Sequence, residues 1–386
     1  MKASKTDVII VSLATFIVFF QGFMVAPLLP ELAHFFGTTV RHISFIEPVY
    51  LLGYGLFTLV YAPLSDRYGR FKVIALSLIL FIGFSICSIF VTNVVQLILC
   101  RFLTGISAAG IAPTTISWIS NRFVYKERGY ALGIFFGCMA GGMAFGSSTG
   151  ALLAGLIGWR YLFLWVAVAG TTVLCLNIVL RERLYPKPTS TEQRASVFAA
   201  FSATLSMPRA KGTYGFVFLN GLFHSGVFAW LGVYFFQFYH LSERGIGLAL
   251  LGYGIPGLLL GSVLGRVADR IGRKKIIPLG MILGGLTVIV LSFVPNLAIA
   301  GLLVTVLSLS FDLSHPSLAV VVTSFNQKNA GGATGLFAFF LFLGYGLGSL
   351  LFSLLIPIGF IQTLWIFGAI AVLEAIIAWY FFKNED

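Results

Sequence analysis

The sequence predicts an all-α polytopic membrane protein whose twelve transmembrane helices form two six-helix bundles. Its 386 residues are 58% hydrophobic and 10% charged, whereas soluble domains carry roughly 25% charged residues. A helix that crosses a bilayer needs about 20 mostly apolar residues, and the chain contains twelve such segments. A charged segment near residue 66 recurs near residue 269, which is the pattern of a duplicated bundle.

The twelve predicted helices follow one another with little chain between them. The first has an apolar run that is too long for a signal peptide, and no small-residue cleavage site follows it, so we expect it to be retained. The predicted bounds are 7–36, 43–63, 72–92, 94–120, 129–157, 160–181, 212–239, 245–267, 275–294, 297–322, 330–357 and 361–382.

One sizeable polar stretch, 181–211, divides six helices from six. It predicts an N-terminal bundle at 1–181, a cytoplasmic linker at 182–211 and a C-terminal bundle at 212–386. Two further repeats support the division: the Leu-Leu-Gly-Tyr-Gly run at 51–55 recurs at 250–254, and the Gly-x-x-x-Gly run at 129–133 recurs at 331–335. Inside the linker, 197–205 predicts a short amphipathic helix on the membrane surface.

The basic residues predict the orientation. With the N-terminus inside, 21 of the 25 Lys and Arg residues fall in inner segments, while Arg41, Arg160 and Arg244 fall outside and Arg101 falls within a helix. Cytoplasmic loops are enriched in Lys and Arg, so both termini are predicted to be cytoplasmic. The net charge of +12 therefore reflects membrane topology and not nucleic-acid binding. The predicted location is a cell membrane, and a bacterial inner membrane suits a chain without soluble domains.

Catalytic signatures are missing from the sequence. The four cysteines lie in apolar segments without C-x-x-C spacing, so they are predicted to be packing residues and no metal site is expected. The sequence has no P-loop, no H-E-x-x-H motif and no nucleophile elbow. We expect no enzyme activity and no cofactor.

The repeated charged segment predicts a conformational latch. A glycine permits a tight reversal between helices, the aspartate can approach the positive N-terminus of a neighbouring helix, and an arginine can pair with a carboxylate. The alternative is that the basic residues only fix topology. The latch residues are Asp66, Arg67, Gly69 and Arg70 in the first copy and Asp269, Arg270, Gly272 and Arg273 in the second.

This segment resembles the signature loop of the major facilitator superfamily, G-x-L-A-D-R-x-G-R-[KR]. The second copy matches with Val267 in place of leucine, while the first copy has Ala62 at the leading glycine and Phe71 at the last basic position. The resemblance implies the major facilitator fold, transport of small molecules by alternating access, and a latch that favours the outward-open state.

A second motif lies on the fourth predicted helix. Arg101 and Thr104 resemble the family motif in which an intramembrane arginine accompanies proton coupling. A cationic side chain in the membrane costs at least about 2.5 kcal/mol, which favours a role in a polar cavity. The alternative is that Arg101 extends to the outer surface along its aliphatic stem.

The fifth helix resembles the antiporter motif of the same family, G-x-x-x-G-P-x-x-G-G. Gly142, Gly146 and Gly150 match, and Ser147 replaces the proline. The Pro-Leu-Leu-Pro run at 27–30 is similar to a pattern in twelve-helix drug:proton antiporters, and its proline residues predict that the first helix kinks or ends there. The resemblance implies export, although glycines also let any two helices pack closely.

Titratable residues within the predicted helices are candidates for ion coupling. Asp312 and His315 lie three residues apart on one helix face, so we expect them to form a hydrogen bond. We predict that Asp312 takes and releases a proton and that His315 tunes it; a structural pair between helices is the alternative. Glu47 is a further candidate that follows the outer loop, and Glu374 lies on the last helix without an assigned role.

A third group of residues predicts the substrate cavity. Aromatic residues form 15% of the chain, and an apolar cavity with a few polar groups suits amphipathic or aromatic substrates. For the histidine in this group, a structural role is the alternative. The predicted contacts are Gln21, Tyr54, Thr104, Asn220, His224 and Tyr253.

Together these observations predict a monomeric secondary active transporter that exports drugs or small organic metabolites in exchange for protons. Sodium is the alternative coupling ion. Proton-coupled uptake or facilitated diffusion of a small organic solute is the alternative function within transport. A receptor or scaffold without transport is a further alternative, against which the repeated latch argues.

Overall fold

The structure is a computed structural model that describes residues 4–43, 45–185, 197–325 and 330–383. Every regular element within these ranges is a helix. We number the twelve main helices along the chain. They are α1 Lys5–Phe23, α2 Ile46–Tyr68, α3 Arg70–Cys87, α4 in two parts Val94–Ala108 and Ile111–Arg122, α5 Arg128–Ile157, α6 Trp159–Val179, α7 Ala210–Tyr239, α8 Glu243–Ile271, α9 Arg273–Leu291, α10 Leu297–Phe325, α11 Ala330–Leu355 and α12 Phe360–Phe381.

The helices are long and apolar enough for a membrane protein. Eleven helical stretches in the described part of the chain meet this condition, and the apolar part of α2, Ile46–Tyr61, is shorter. Counting α2, the architecture agrees with the predicted twelve helices. The predicted domain bounds stay a prediction, because part of the polar stretch, 186–196, lies outside the described residues.

Ten helices begin and end within about five residues of their predicted bounds, while α1 and α4 differ in form. α1 ends at Phe23 and not at residue 36, and a 3₁₀ turn at Ala26–Leu28 and a short helix at Leu29–Phe35 follow it. Prolines at 27 and 30 lack the N–H that would continue α1, so the predicted kink is confirmed. α4 is interrupted at Ala109 and Gly110. The predicted linker helix is present as Val197–Leu205.

The sequence repeat is also a structural repeat. Gly69 joins α2 to α3 with a φ of +94°, and Gly272 joins α8 to α9 with a φ of +92°. L-residues with a side chain rarely adopt this conformation, so glycine is required at both reversals. We call the end of the molecule that carries these two loops the charged-loop end.

Helix packing repeats in the same order. In the first six helices α1 packs against α5, α2 against α4 and α3 against α6. In the last six α7 packs against α11, α8 against α10 and α9 against α12. Between these two halves, α5 contacts α8 and α2 contacts α11. The contacts between halves therefore run mainly along two pairs of helices.

On one side of the molecule, the backbones of α5 and α8 are in contact. A Cβ atom added at Gly133 would lie 2.0 Å from the carbonyl oxygen of Gly261, and one added at Gly261 would lie 2.2 Å from the carbonyl oxygen of Gly133. Only glycine permits this approach. We call this contact the α5·α8 seam; its three levels are Gly129 with Gly265, Gly133 with Gly261, and Gly137 with Gly257.

A second glycine face of α5 packs on α1. Cβ atoms added at Gly142, Gly146 and Gly150 would lie 2.5, 2.2 and 2.2 Å from carbonyl oxygens of α1 and of the residue that follows it. The repeat has the same contact, because a Cβ atom at Gly344 or Gly348 of α11 would lie 2.3 or 2.1 Å from a carbonyl oxygen of α7. α5 thus packs closely against two neighbouring helices, in each case through a row of glycines.

We expect Gly146→Ala to destabilise the protein, because the new methyl group would meet the carbonyl oxygen of Phe20 at 2.2 Å. Overpacking of this kind costs about 1–3 kcal/mol. The matched control is Gly83→Ala on α3, where nothing lies within 4 Å of the added atom. Thermal unfolding in detergent should show a lower midpoint for Gly146→Ala only, and equal midpoints for the two variants would contradict the packing argument.

Candidate functional site

Arg101 on α4 is the most enclosed charge in the first half. Its side chain is fully buried. Nη1 donates to Oε1 of Gln21 at 2.8 Å and to its carbonyl oxygen at 3.3 Å, Nη2 donates to the carbonyl oxygen of Gly22 at 2.9 Å, and Nε donates to that of Ile46 at 3.3 Å. The guanidinium also lies 4.3 Å from the ring centroid of Tyr50.

These contacts give Arg101 a role in joining three helices. Gln21 and Gly22 belong to the last turn of α1, where backbone carbonyls lack a partner within the helix. Arg101 supplies donors to them and to the first residue of α2. The side chain does not reach the surface, in contrast to the alternative of an extension toward outer water. Its predicted role in a cavity stays a prediction.

Three other predicted residues of the first half lie around this group. Glu47 is partly buried next to Arg101 and forms no direct ion pair with it. The hydroxyl of Thr104 donates to the carbonyl oxygen of Cys100 in its own helix at 2.6 Å. Nε2 of Gln21 is buried without a partner. Arg101 and Gln21 were predicted for separate roles, and the structure brings them together.

The predicted residues of the second half form one buried group. Nδ2 of Asn220 lies 3.1 Å from Nδ1 of His315 and 3.1 Å from Oγ of Ser314. The hydroxyl of Tyr253 lies 3.4 Å from Nδ1 of His224. We call this group the polar cluster; it consists of Asn220, His224, Tyr253, Ser308, Asp312, Ser314 and His315, all of which are buried.

The predicted hydrogen bond between Asp312 and His315 is wrong. His315 pairs with Asn220 of α7 and stacks on Phe311 at a centroid distance of 4.6 Å. The carboxylate of Asp312 instead lies against Gly257 of α8, where a missing side chain leaves room for it. Residues three apart on a helix differ by about 60° in direction, and here each side chain follows a different neighbouring helix.

Asp312 is poorly compensated. Its Oδ2 accepts a hydrogen bond from the Ser308 hydroxyl at 3.3 Å, and its buried Oδ1 has no hydrogen-bond partner among the described residues. Nε2 of His224 and Nε2 of His315 are also buried, and neither has a hydrogen-bond partner in the part of the chain that the structure describes. Unsatisfied buried polar atoms are rare in native structures, so the polar cluster has free capacity for a proton or a polar ligand group.

Aromatic rings connect the polar cluster to the first half. The ring of Tyr54 lies 4.0 Å from that of Phe342 on α11, centroid to centroid. Phe228 on α7 lies 4.3 Å from Tyr253 and 5.9 Å from Phe23, which ends α1. We call these five side chains the aromatic layer. Tyr54 therefore contacts a ring of the other half directly, whereas its repeat-equivalent Tyr253 is connected to the first half through Phe228.

The two copies of the charged loop differ in burial. Arg273 donates to Asp269 at 2.6 Å, and the two side chains are 3% and 9% exposed. Asp269 also accepts from the backbone N–H of Tyr130 in the first turn of α5 at 3.2 Å. The equivalent pair Asp66 and Arg70 is 3.5 Å apart and 24% exposed on each side. The predicted approach of the aspartate to a helix N-terminus is therefore present in the second copy.

Sequence reasoning missed a second bridge between the halves at the charged-loop end. Arg128, the first residue of α5, donates to the carbonyl oxygen of Thr323 on α10 at 3.2 Å. Arg273 donates to the carbonyl oxygen of Tyr125 at 3.1 Å and lies 4.2 Å from its ring. In the sequence, the one sign of this contact was a basic residue at the start of α5. Both arginines donate to backbone carbonyl oxygens, which carry no charge.

A further polar group at this end holds the first half together. Trp118 and Arg122 both donate to the carbonyl oxygen of Leu184, at 2.8 and 3.0 Å. Tyr185 donates to the side-chain oxygen of Asn177 at 2.9 Å. Burial raises the pKa of the Tyr185 hydroxyl above its usual range, although nearby Arg70 opposes this. Tyr185 is therefore a neutral donor at physiological pH.

The antiporter-like motif has a packing role in the structure. Gly142, Gly146 and Gly150 face α1, and α5 continues as a helix through Ser147. Ser147 keeps the backbone N–H that a proline at this position would lack. The neighbouring Ser148 donates to the carbonyl oxygen of Gly247 on α8 at 2.7 Å.

The chain is similar to transporters along most of its length. The model of the Major Facilitator Superfamily matches residues 11–311 and 213–386. The MFS-type transporter YwfA of Bacillus subtilis is 25% identical over 373 residues, which cover 94% of this chain and 89% of YwfA. The efflux pump radE of Floropilus chiversii is 32% identical over 178 residues, which cover 46% of this chain and 33% of radE.

A solved structure has the same fold. The crystal structure of the human organic anion transporter MFSD10 (TETRAN) superposes with a TM-score of 0.82 and covers 98% of this chain and 100% of that chain. The sequence identity is 16%, so this similarity concerns the fold alone.

We expect Arg101→Met to lower stability. The change leaves the carbonyl oxygens of Gln21, Gly22 and Ile46 without the arginine donors, at about 1–3 kcal/mol for each group that becomes unsatisfied. Arg101→Lys keeps the charge and one donor group, so it should recover part of the loss. Thermal unfolding in detergent measures this order. If Arg101→Met lost transport at wild-type stability, Arg101 would act on the substrate or ion instead.

We expect Asp269→Asn to reduce transport more than Asp66→Asn. Asparagine keeps the size of the side chain but removes the charge of the buried pair with Arg273, whereas exposed pairs contribute about 0–1 kcal/mol. We expect a loss of roughly tenfold for Asp269→Asn and twofold to threefold for Asp66→Asn, as ~1.4 kcal/mol corresponds to tenfold. Both variants should still insert into the membrane. Unchanged transport kinetics in both would refute the latch.

Proposed function

The chain belongs to the Major Facilitator Superfamily, and we propose that it is a proton-coupled exporter of amphipathic or aromatic organic molecules. The family is a class of transporters and not of enzymes, so the chain is a multi-pass membrane transporter of small molecules. The coupling ion, the direction and the substrate class belong to the proposal.

Proton coupling is supported chiefly by Asp312. This carboxyl group is 3% exposed, and its Oδ1 has no hydrogen-bond partner within the described ranges. An unpaired carboxylate is costly in an apolar environment, and a bound proton removes most of that cost. Asp312 forms no ion pair with Lys or Arg in the described part of the chain. The neutral carboxyl group is stable when it is buried away from water, and the charged carboxylate is stable when it is hydrated. A transporter that alternates between closed and open states can therefore bind a proton in one state and release it in the other.

The substrate class is supported by the aromatic layer beside the polar cluster. Rings from both halves meet there, and the unpartnered nitrogens of His224 and His315 lie close by. Flat apolar surface with a few polar groups suits an aromatic or amphipathic molecule. The aromatic layer is packed in this structure, so a substrate would enter as the halves separate.

Alternating access is supported by the two pairs of helices that join the halves. In this structure α5 and α8 are in backbone contact, and the hydrogen bonds of Asp269 to Tyr130 and of Arg273 to Tyr125 join the halves at the charged-loop end. Rocking of one half against the other would open that end and close the opposite one. The glycine levels and the charged loop are the contacts that opening must break.

We place the charged-loop end, both termini and the linker in the cytoplasm. The excess of Lys and Arg at this end supports that orientation. The cell membrane, a bacterial inner membrane in particular, is the proposed location, and a monomer is the proposed functional unit because each chain has both halves of the transporter.

Export is supported by the relative radE, which is named an efflux pump and which the chain matches over a third of that protein. Proton-coupled uptake, or facilitated diffusion, is the second candidate. It is favoured by α5, which continues unbroken through Ser147 where the antiporter pattern has proline. Sodium is the second candidate ion, because a carboxylate is also a sodium ligand.

Transport by purified protein in liposomes tests direction, ion and substrate together. The panel should contain aromatic cations, organic anions, sugars and amino acids, with an imposed pH or sodium gradient. We expect an aromatic or amphipathic compound to move against an opposing proton flux. Accumulation together with protons would replace export by uptake, and a dependence on sodium alone would replace the proton.

We expect Asp312→Asn to lower proton-driven transport at least tenfold while substrate exchange without a gradient persists. Asparagine is close in size but cannot release a proton. The matched control is Glu374→Gln on α12, because Glu374 is also a buried carboxyl group with an unpartnered oxygen. The control should keep proton-driven transport. If Asp312→Asn transported like the wild type, the proposed coupling role would be excluded.

A further inference from the structure

Gly257 on α8 touches two functional features at once. A Cβ atom added at Gly257 would lie 2.7 Å from each carboxylate oxygen of Asp312. The carbonyl oxygen of the same residue would lie 2.2 Å from a Cβ atom added at Gly137 on α5. Gly257 therefore contacts the carboxyl group of Asp312 on one side and Gly137, its partner in the third level of the α5·α8 seam, on the other.

The surroundings of Asp312 make this contact sensitive to charge. The other titratable groups near it are Tyr253 on α8, Tyr345 on α11, His315 on α10 and His224 on α7. Tyr253 and Tyr345 interact with Asp312 electrostatically, and no described hydrogen bond joins either of them to it. Among the residues that the structure describes, only the Ser308 hydroxyl donates to the carboxyl group. A negative charge on Asp312 thus needs water or a ligand that this packing does not admit.

Room for such a molecule is limited by Gly257. Both oxygens of Asp312 lie where a side chain of residue 257 would begin, and Oδ1 is buried, so a water molecule that binds Oδ1 on this side moves α8 away from α10. Because the opposite side of Gly257 is in contact with Gly137, a shift of α8 at this level also acts on the seam. The adjacent level of Gly133 and Gly261 is equally tight and transmits the shift toward the charged-loop end.

We propose that Gly257 is the positioning residue that couples the proton on Asp312 to closure of the α5·α8 seam. With Asp312 neutral, the carboxyl group packs dry on Gly257 and the seam closes. With Asp312 charged, its hydration moves α8 and the seam loosens. This inference rests on the proposed function, in which Asp312 carries the coupling proton.

Distances between spin labels across the charged-loop end test the proposal. Lys126→Cys precedes α5 and Arg266→Cys lies on α8; both positions are exposed and line a cavity at this end. The four native cysteines are replaced by alanine, and transport confirms that the background is active. Double electron–electron resonance in lipid nanodiscs then gives the ratio of open to closed seam from pH 5 to pH 9.

For the wild type we expect this ratio to rise at least tenfold from pH 5 to pH 9. Asp312→Asn should keep the seam closed throughout. Gly257→Ala displaces the carboxyl group, which as the end of a side chain can move, so the ratio should change less than about threefold over the same range. The matched control, Gly137→Ala, strains the same level without touching Asp312. It should displace the ratio by one factor at every pH and keep the tenfold response.

Ser308→Ala tests the linkage without altering helix packing. The serine hydroxyl stabilises the charged carboxylate, so its removal should keep the seam closed up to a pH about one unit higher. This variant decides the question if either glycine variant fails to fold. Any one of three results would overturn the proposal. The wild-type ratio of open to closed seam could be independent of pH, Gly257→Ala could show the full pH response, or Ser308→Ala could have the wild-type midpoint.

The outcomes separate this inference from the proposed function. If Asp312→Asn keeps proton-driven transport, the coupling role of Asp312 fails. If Asp312→Asn loses both transport and the pH response while Gly257→Ala responds like the wild type, Asp312 still carries the proton and only the role of Gly257 is wrong.

Discussion

The structure depends on the backbone contacts of α5. In most soluble proteins side chains keep helix axes 8–10 Å apart, but here α5 presents carbonyl oxygens and Cα atoms directly to two neighbours. One glycine face holds it to α1 within the first half, and the other holds it to α8 in the second half. In a bilayer, where lipid tails are as apolar as leucine, such close packing is a main source of helix association.

This constraint explains where the polar residues lie. Since α8 approaches α5 through glycines, it also has glycine where α10 carries Asp312, and the carboxyl group occupies that space. The charged loop at the end of α8 is carried to the first turn of α5, so that Asp269 meets a helix N-terminus. In the first half the equivalent pair, Asp66 and Arg70, lies farther apart and is more exposed.

Much of the fold follows from the sequence. Apolar segment lengths predicted the helices, the prolines at 27 and 30 predicted the break after α1, and the repeated loops predicted the matching reversals at Gly69 and Gly272. The site was harder. Asp312 and His315 were assigned to each other because they are near in sequence, yet each bonds or packs with a different helix. Arg101 joins three helices by donating mostly to backbone carbonyl groups. Every residue has a carbonyl group, so no pattern of side chains predicts these contacts. The role of Gly257 could not be predicted either, because the residues it contacts are 55 and 120 positions away in the sequence.

The glycine contacts also determine how the gene tolerates change. Any single-base substitution that replaces a glycine codon with that of another amino acid adds at least one heavy atom, so the seam has no conservative substitute within one mutational step. Gly83 and Gly346, which face open space, accept a methyl group without contact. The same residue type is therefore strictly constrained along α5 and α8 and nearly free on α3, and a survey of natural variants should be interpreted helix face by helix face.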